Sequence, residues 1–272
     1  MNALPRSYLF VPGDRPERFA KALASAADAV VLDLEDAVAP AAKETARAAV
    51  SACLAQTAHA ERLVVRINDE STRWFEGDLA LLRDLGVKAV MLTKAERAST
   101  VARVRAACPD IGVLALVESA RGVLAAEELA LAPGVQRLVF GTIDYALDMG
   151  LEGELAATLG LDGAATRLAI ASRAAGIGSP VAGVTVAIDD EAGLRADFAR
   201  ARAHGFGAKL CIHPKQIAAL HAALAPTIEE LAWARRVLAA ADAAGGAAVQ
   251  LDGRMVDKPV IERARRIVQR AP

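Results

Sequence analysis

Two carboxylates in this chain stand where α/β proteins do chemistry. Glu118 follows the apolar run Val113–Val117, and Asp144 follows Leu138–Phe140 and the turn residue Gly141. Short continuous apolar runs separated by an amphipathic helix predict parallel strands buried on both faces. A right-handed crossover brings the C-terminal ends of such strands to one side of the sheet. The two acids are therefore expected close together, at the edge where such sheets bind ligands. Paired carboxylates repel unless one is protonated or a cation lies between them. An oxygen-only donor set with open positions suits a hard cation, Mg²⁺ first, with Mn²⁺ as a substitute. The plainer role for each acid is to cap the helix after its strand.

Other strand ends carry reactive types. Asp33, Glu35 and Asp36 put three acids in four residues, more charge than capping requires. Glu35 and Asp36 are read as holding water around a cation or orienting Arg66. Arg66 interrupts the apolar run Val64-Val65-Arg66-Ile67. A buried guanidinium needs paired acceptors, which a carboxylate or thioester oxygen of a substrate would supply. Asp14, before Pro16, reads as a helix cap, with Arg15 and Arg18 beside it suited to phosphates. Lys94 reads as one half of a structural ion pair, and His213, before Pro214, as a hydrogen-bonded loop histidine.

The elements that must position these residues recur along the whole chain. Strands are expected at Tyr8–Val11, Ala29–Leu34, Leu63–Ile67, Ala89–Leu92, Val113–Val117, Leu138–Phe140, Val181–Val186 and Ala208–Ile212. Helical patterns alternate with them, among them Glu17–Ala26, Gly122–Ala130 and Ala164–Ala175. Eight strands alternating with helices predict a (β/α)₈ TIM barrel. A doubly wound open sheet is the alternative, but no Gly-x-Gly-x-x-Gly follows the first strand. One catalytic barrel domain is expected over residues 1–225, followed over residues 226–272 by extra helices and an arm, Asp252–Pro259.

Composition narrows the classes. Aromatic residues make up only 4% of the 272, so the core is aliphatic. A net charge of −1 leaves no electrostatic footprint for nucleic acid. No apolar run reaches membrane-spanning length, and Met1–Arg6 does not open a signal peptide. The three cysteines form no Cys-x-x-Cys, which predicts reduced thiols in a cytoplasmic protein.

Taken jointly, several motifs resemble the citrate lyase β-subunit-like family, with the malyl-CoA and citramalyl-CoA lyases, inside the HpcH/HpaI group of Mg²⁺-dependent class II aldolases. They are Arg6-Ser7-Tyr8-Leu9-Phe10-Val11-Pro12-Gly13, Leu32-Asp33-Leu34-Glu35-Asp36-Ala37-Val38, Val65-Arg66-Ile67-Asn68, Glu118-Ser119-Ala120-Arg121-Gly122, Phe140-Gly141-Thr142-Ile143-Asp144, Ile212-His213-Pro214 and Met255-Val256-Asp257-Lys258-Pro259. The resemblance implies a TIM barrel forming trimers or hexamers, Mg²⁺ on Glu118 and Asp144, and a substrate bearing coenzyme A. It implies that Arg66 binds the 2-oxo acid, that Arg6 is a second substrate-contacting arginine, and that Asp257 enters the neighbouring subunit's site. It leaves room for an acyl carrier protein as partner. Thr93 departs from the family, where a proline usually precedes the lysine, and the residue before Asp144 departs too. Two other readings stay open: an aldolase for free 4-hydroxy-2-oxo acids, and a catalytically silent β-like subunit. Relatives of the first kind typically carry a histidine where Asp36 stands.

Overall fold

The computed structural model describes residues 4–243 and 248–269. The chain divides into two compact units, Met1–Leu220 and His221–Pro272. In the first unit eight strands follow one another around a closed barrel: β1 (Ser7–Pro12), β2 (Ala29–Asp33), β3 (Leu63–Ile67), β4 (Ala89–Leu92), β5 (Gly112–Val117), β6 (Val135–Phe140), β7 (Val181–Ala182) and β8 (Ala208–Cys211). All pairs are parallel, including β1 with β8 through Ser7↔Lys209 and Tyr8↔Leu210. That last pairing closes the sheet, so the open doubly wound alternative does not hold.

The strand residues account for this architecture. β2 and β5 are buried along their whole length, as strands covered on both faces must be. Alternate residues point inward, where Tyr8, Val31, Val64, Met91, Leu114 and Leu210 pack as one cluster. Their neighbours in sequence face the surrounding helices: α1 (Phe19–Leu23), α2 (Lys43–Gln56), α3 (Phe75–Leu85), α4 (Ala98–Ala107), α5 (Ala120–Leu124), α6 (Ala126–Leu131), α7 (Thr142–Asp148), α8 (Glu154–Ala174) and α9 (Glu191–Ala203).

Several boundaries differ from the sequence expectation. β7 stops at Ala182 rather than Val186, and Val186 is exposed. At Gly183 a Cβ would lie 2.4 Å from Thr142 Oγ1 and 2.9 Å from the Phe140 carbonyl, so the chain leaves the ladder where only a glycine passes. The expected helix Gly122–Ala130 is two short helices meeting at Ala125. Glu17–Ala26 is a 3₁₀ turn at Pro16–Arg18 followed by the short α1. α8 begins ten residues before Ala164, where Gly160 and Gly163 dilute the helical pattern.

The helix α10 (Lys215–Leu224) contains the division between the units. In the second unit α11 (Ile228–Ala243) and α12 (Lys258–Gln269) flank a hairpin of β9 (Val249–Leu251) and β10 (Arg254–Val256). Ala234, Val237, Ala264, Ile267 and Val256 form its core. The hairpin turns at Asp252-Gly253, with φ of 52° and 74°. Two positive φ angles define the type I′ turn, for which Asp-Gly is a preferred pair. Among the described residues no helix is long and apolar enough to cross a membrane.

Candidate active site

The acid pair is set by the β5–β6 register. Val117 pairs with Phe140, and the Gly141 amide donates to the Val117 carbonyl at 2.9 Å, so Glu118 and Gly141 leave the sheet side by side. Glu118 is buried, and its Oε1 accepts the Lys94 backbone N–H at 2.8 Å. Lys94 can point its amide there because it adopts φ 44°, the left-handed region that non-glycine residues seldom occupy. Thr93, in the position of the family's proline, is buried and donates its hydroxyl to the Ile67 carbonyl at 3.0 Å. A Cβ on Gly141 would lie 2.8 Å from Glu118 Oε2, so glycine there leaves the carboxylate its room.

Asp144 is exposed in the first turn of α7. Neither acid is consumed as a side-chain cap. Ser119 caps α5 by accepting the Gly122 amide at 3.1 Å, and Asp148 of α7 accepts the Ala120 amide at 2.7 Å. The Asp148 bond ties the start of α5 to α7.

Glu118 and Asp144 line one cavity of about 350 Å³ together with Asp33, Asp36 and Arg66. Burial pushes the Glu118 carboxyl up to about 7, the Asp144 charge pushes the same way, and the Lys94 amide opposes both. A desolvated carboxylate facing a second carboxylate fits a hard divalent cation, which relieves both penalties. Among the described residues no group of three or more His, Cys, Asp or Glu side chains is arranged for a metal. Two anionic oxygen donors with the remaining positions left to water and substrate is the habit of Mg²⁺.

A pH dependence follows. Because Glu118 must be deprotonated to ligate, Mg²⁺ affinity should rise by about tenfold per pH unit below neutrality and level off above it. Calorimetry at pH 6, 7 and 8 reads this directly, and an affinity flat across that range would show that Glu118 releases no proton to the ion there.

Arg66 lies at the same end of the barrel. Its Nε and Nη2 reach the two oxygens of Asp33 at 2.7 and 2.5 Å. Its Nη1 is 3.0 Å from Glu35 Oε2 and 3.6 Å from Asp36 Oδ2, and the guanidinium lies over the Phe10 ring at 4.8 Å. Burial works against this charge, but the Asp33 hydrogen bonds and the three acids outweigh it and raise the Arg66 pKa. The acceptors are thus largely the protein's own, Asp33 first with Glu35 and Asp36 beside it, where the sequence reading looks mainly to the oxygens of a substrate. Asp33 also accepts the amides of Glu35 at 2.8 Å and Ala37 at 3.2 Å, so its lone pairs are filled. Burial raises the Glu35 pKa, opposed by Arg66 and assisted by Asp36.

A buried lysine holds this turn. Lys43 Nζ donates to the carbonyls of Leu34 and Glu35 and to Asn68 Oδ1, each at 2.7 Å. Asn68 in turn donates to Asp78 at 2.7 Å, and Arg47 meets Asp78 at 3.1 Å. Lys43→Met would leave the Glu35 carbonyl and Asn68 Oδ1 without that donor, while the Leu34 carbonyl keeps Asn68 Nδ2 at 2.9 Å, and should cost about 3 kcal/mol. Chemical denaturation measures it, and a change under about 0.5 kcal/mol, the size of an ordinary surface substitution, would remove Lys43 from the support of the turn.

Not every candidate joins the site. Arg6 precedes β1, at the opposite end of the barrel from the acid pair, with its Nε 3.4 Å from Asp28. Lys94 is exposed and has no ion pair among the described residues, so its backbone rather than its charge matters. Asp14 makes no cap, because the 3₁₀ turn after it has no side-chain cap bond. His213 is a loop histidine whose Nδ1 accepts the Lys215 amide at 3.2 Å. Asp257 belongs to the second unit, where its Oδ1 accepts the Val260 amide at 3.3 Å at the start of α12.

A closed eight-stranded parallel barrel with an acid pair and a partly buried arginine at the C-terminal ends of its strands has the arrangement of a TIM-barrel enzyme. Residues 6–214 match the family described as HpcH/HpaI aldolase/citrate lyase, and residues 170–272 match a C–C bond lyase of the TIM-barrel fold. The chain belongs to the HpcH/HpaI aldolase/citrate lyase family. The citrate lyase subunit beta-like protein of Mycobacterium tuberculosis is 40% identical over 278 residues, covering 100% of this chain and 97% of that protein. The (3S)-malyl-CoA thioesterase of Cereibacter sphaeroides is 35% identical, covering 98% and 94%. The crystal structure of CitE from M. tuberculosis with magnesium, acetoacetate and coenzyme A superposes with a TM-score of 0.87 at 38% identity, covering 100% and 99%.

Proposed function

We propose that this protein is a Mg²⁺-dependent carbon–carbon lyase. Its substrate is a 3-hydroxyacyl-CoA thioester of citryl, citramalyl or malyl type, cleaved to an acetyl-type thioester and a 2-oxo acid. The observation that carries the reading is the single cavity holding Glu118, Asp144 and Arg66. The CitE structure, with magnesium, acetoacetate and coenzyme A bound, supports the choice of metal and substrate class.

Glu118 and Asp144 would hold the ion. Bound there, Mg²⁺ supplies Lewis acidity that lowers the pKa of the substrate hydroxyl. Arg66, fixed by Asp33 and Glu35, stabilises negative charge on the 2-oxo acid oxygens as the carbon–carbon bond breaks. It is preorganised, so it does not reorient during the reaction. Asp257 of a neighbouring subunit takes the hydroxyl proton as the carbon–carbon bond breaks and charge moves to the thioester enolate, and it then returns that proton to the enolate carbon. A carboxylate that caps a helix through one oxygen keeps the other for this task. In reverse the same groups perform a Claisen-type condensation.

This reading makes the protein a cytoplasmic homo-oligomer, trimer or hexamer, with the residues after 225 packing on a neighbour. It is tested by mixing. Asp257→Ala and Glu118→Ala should each be nearly inactive, and co-expressed they should regain part of the activity. Mixed oligomers as inactive as either parent would show that Asp257 does not act across subunits.

The similarity to a malyl-CoA thioesterase favours one second reading, hydrolysis of the thioester. Mass spectrometry separates the two on a panel of citryl-, citramalyl- and malyl-CoA. The lyase releases a 2-oxo acid and acetyl-CoA, whereas a thioesterase releases the intact hydroxy acid and free coenzyme A. Turnover restricted to carrier-protein thioesters would instead point to an acyl carrier protein partner, and turnover of free 4-hydroxy-2-oxo acids to an aldolase.

A further inference from the structure

A second pocket, of about 240 Å³, opens between α8 and α9 and reaches the outer face of the barrel wall. Its floor contains Lys209 of β8. The neighbours Ala208 and Leu210 belong to the barrel's interior cluster, so strand alternation turns Lys209 outward, into the space beneath the helices. Only 2% of Lys209 is exposed.

Lys209 is short of partners. An ammonium carries three donors, and among the described residues Nζ has one hydrogen-bond acceptor, the Gly183 carbonyl at 2.7 Å. A buried charge needs fuller pairing than one neutral carbonyl. Burial accordingly lowers the Lys209 pKa, and the Asp197 carboxylate opposes the shift. Asp197 is already engaged, since its Oδ2 accepts the Thr185 hydroxyl at 2.7 Å. Nearer the mouth, Arg200 Nε and His204 Nε2 both meet Asp162 Oδ1 at 2.8 Å, and Arg200 Nη2 also donates to the Thr158 carbonyl. Among the described residues Lys209 is the one cationic group of this pocket that is buried, and two of its three donors have no acceptor. The surroundings are otherwise apolar, with Phe140, Phe206, Leu161 and Ala165 among the lining residues.

We propose that this pocket binds a small monocarboxylate of two to four carbons, its carboxylate taking the free protons of Lys209 and its alkyl end lying against the aromatic floor. The volume admits a ligand of this size and lies below the range usual for drug-sized ligands. The nearby Asp197 sets the charge, because a dianion would bring its second carboxylate against it. The site is distinct from the Glu118–Asp144 cavity, although Thr142, Gly183 and Val184 line both.

Calorimetric titration of the full chain with acetate, propionate and butyrate, in EDTA, tests the proposal. The wild type should show one site, retained in Glu118→Gln and in Arg66→Lys. Lys209→Met, which keeps the length and removes the charge, should weaken binding at least tenfold. Ala165→Leu fills the pocket from α8 without altering a charge, should weaken binding likewise, and serves if Lys209→Met does not fold. Absence of binding by the wild type at tens of millimolar overturns the proposal. So does binding that survives both pocket variants but is lost in Glu118→Gln or Arg66→Lys, because the carboxylate would then occupy the reaction cavity.

Discussion

Glu118→Gln and Asp144→Asn should each lower kcat/KM for thioester cleavage by on the order of a thousandfold, the upper range for loss of one preorganised electrostatic group. Each change replaces an anionic ligand with a neutral amide of the same shape. The amide oxygen introduced by Glu118→Gln would still accept the Lys94 backbone N–H that now bonds the carboxylate at 2.8 Å, so the fold should persist. The same substitution removes a desolvated acid whose carboxyl burial raises to about 7, so the metal-free protein should be no less stable than wild type at pH 8. Calorimetry with Mg²⁺ and thermal unfolding, run beside the kinetics, separate the two effects. Weakened Mg²⁺ binding with an undiminished Tm is the expected pair, whereas a collapsed Tm would make the acids structural.

Arg66→Lys should lower kcat/KM about a hundredfold, because the ammonium keeps the charge but loses the planar fork. The fork now spans both oxygens of Asp33, at 2.7 and 2.5 Å. A lysine reaches at most one of them and leaves the other without its partner. Asp33→Asn should reproduce part of the loss without touching the substrate, since it weakens the group that orients Arg66. Unchanged kinetics in Arg66→Lys would make Arg66 a structural residue only.

The barrel is legible in the sequence because its strands are continuous apolar runs, a pattern that depends on burial alone. Glu118 and Asp144 can be placed together for the same reason, since the ends of adjacent parallel strands are neighbours in space. Motif resemblance, and not spacing, attaches a thioester to them. The short β7 escapes the pattern because Val184 and Val186 continue an apolar run that close packing at Gly183 interrupts. α7 leaves little trace because it is seven residues long and carries no cap signal. The hairpin in the second unit has a local signal, Asp252-Gly253, which is a hairpin turn pair, but its strands are only three residues each.

The polar network is the least legible part. Asp33 and Arg66 are both visible at strand ends, but that Asp33 rather than a ligand fills the guanidinium fork depends on the β2–β3 register, in which Asp33 pairs with Arg66. Lys43, Asn68 and Asp78 lie on three separate segments and meet only in the folded chain. A lysine inside an otherwise helical pattern carries no local mark that it is buried.

The most direct test is formation of a 2-oxo acid from malyl-, citramalyl- or citryl-CoA, followed by mass spectrometry on protein stripped with EDTA and then on the same sample after Mg²⁺ is restored. No oxo acid is expected from the stripped protein, and oxo acid together with acetyl-CoA should appear once Mg²⁺ is added. Full cleavage activity in the metal-stripped sample, or restored turnover that yields only free coenzyme A and the intact hydroxy acid, would contradict it.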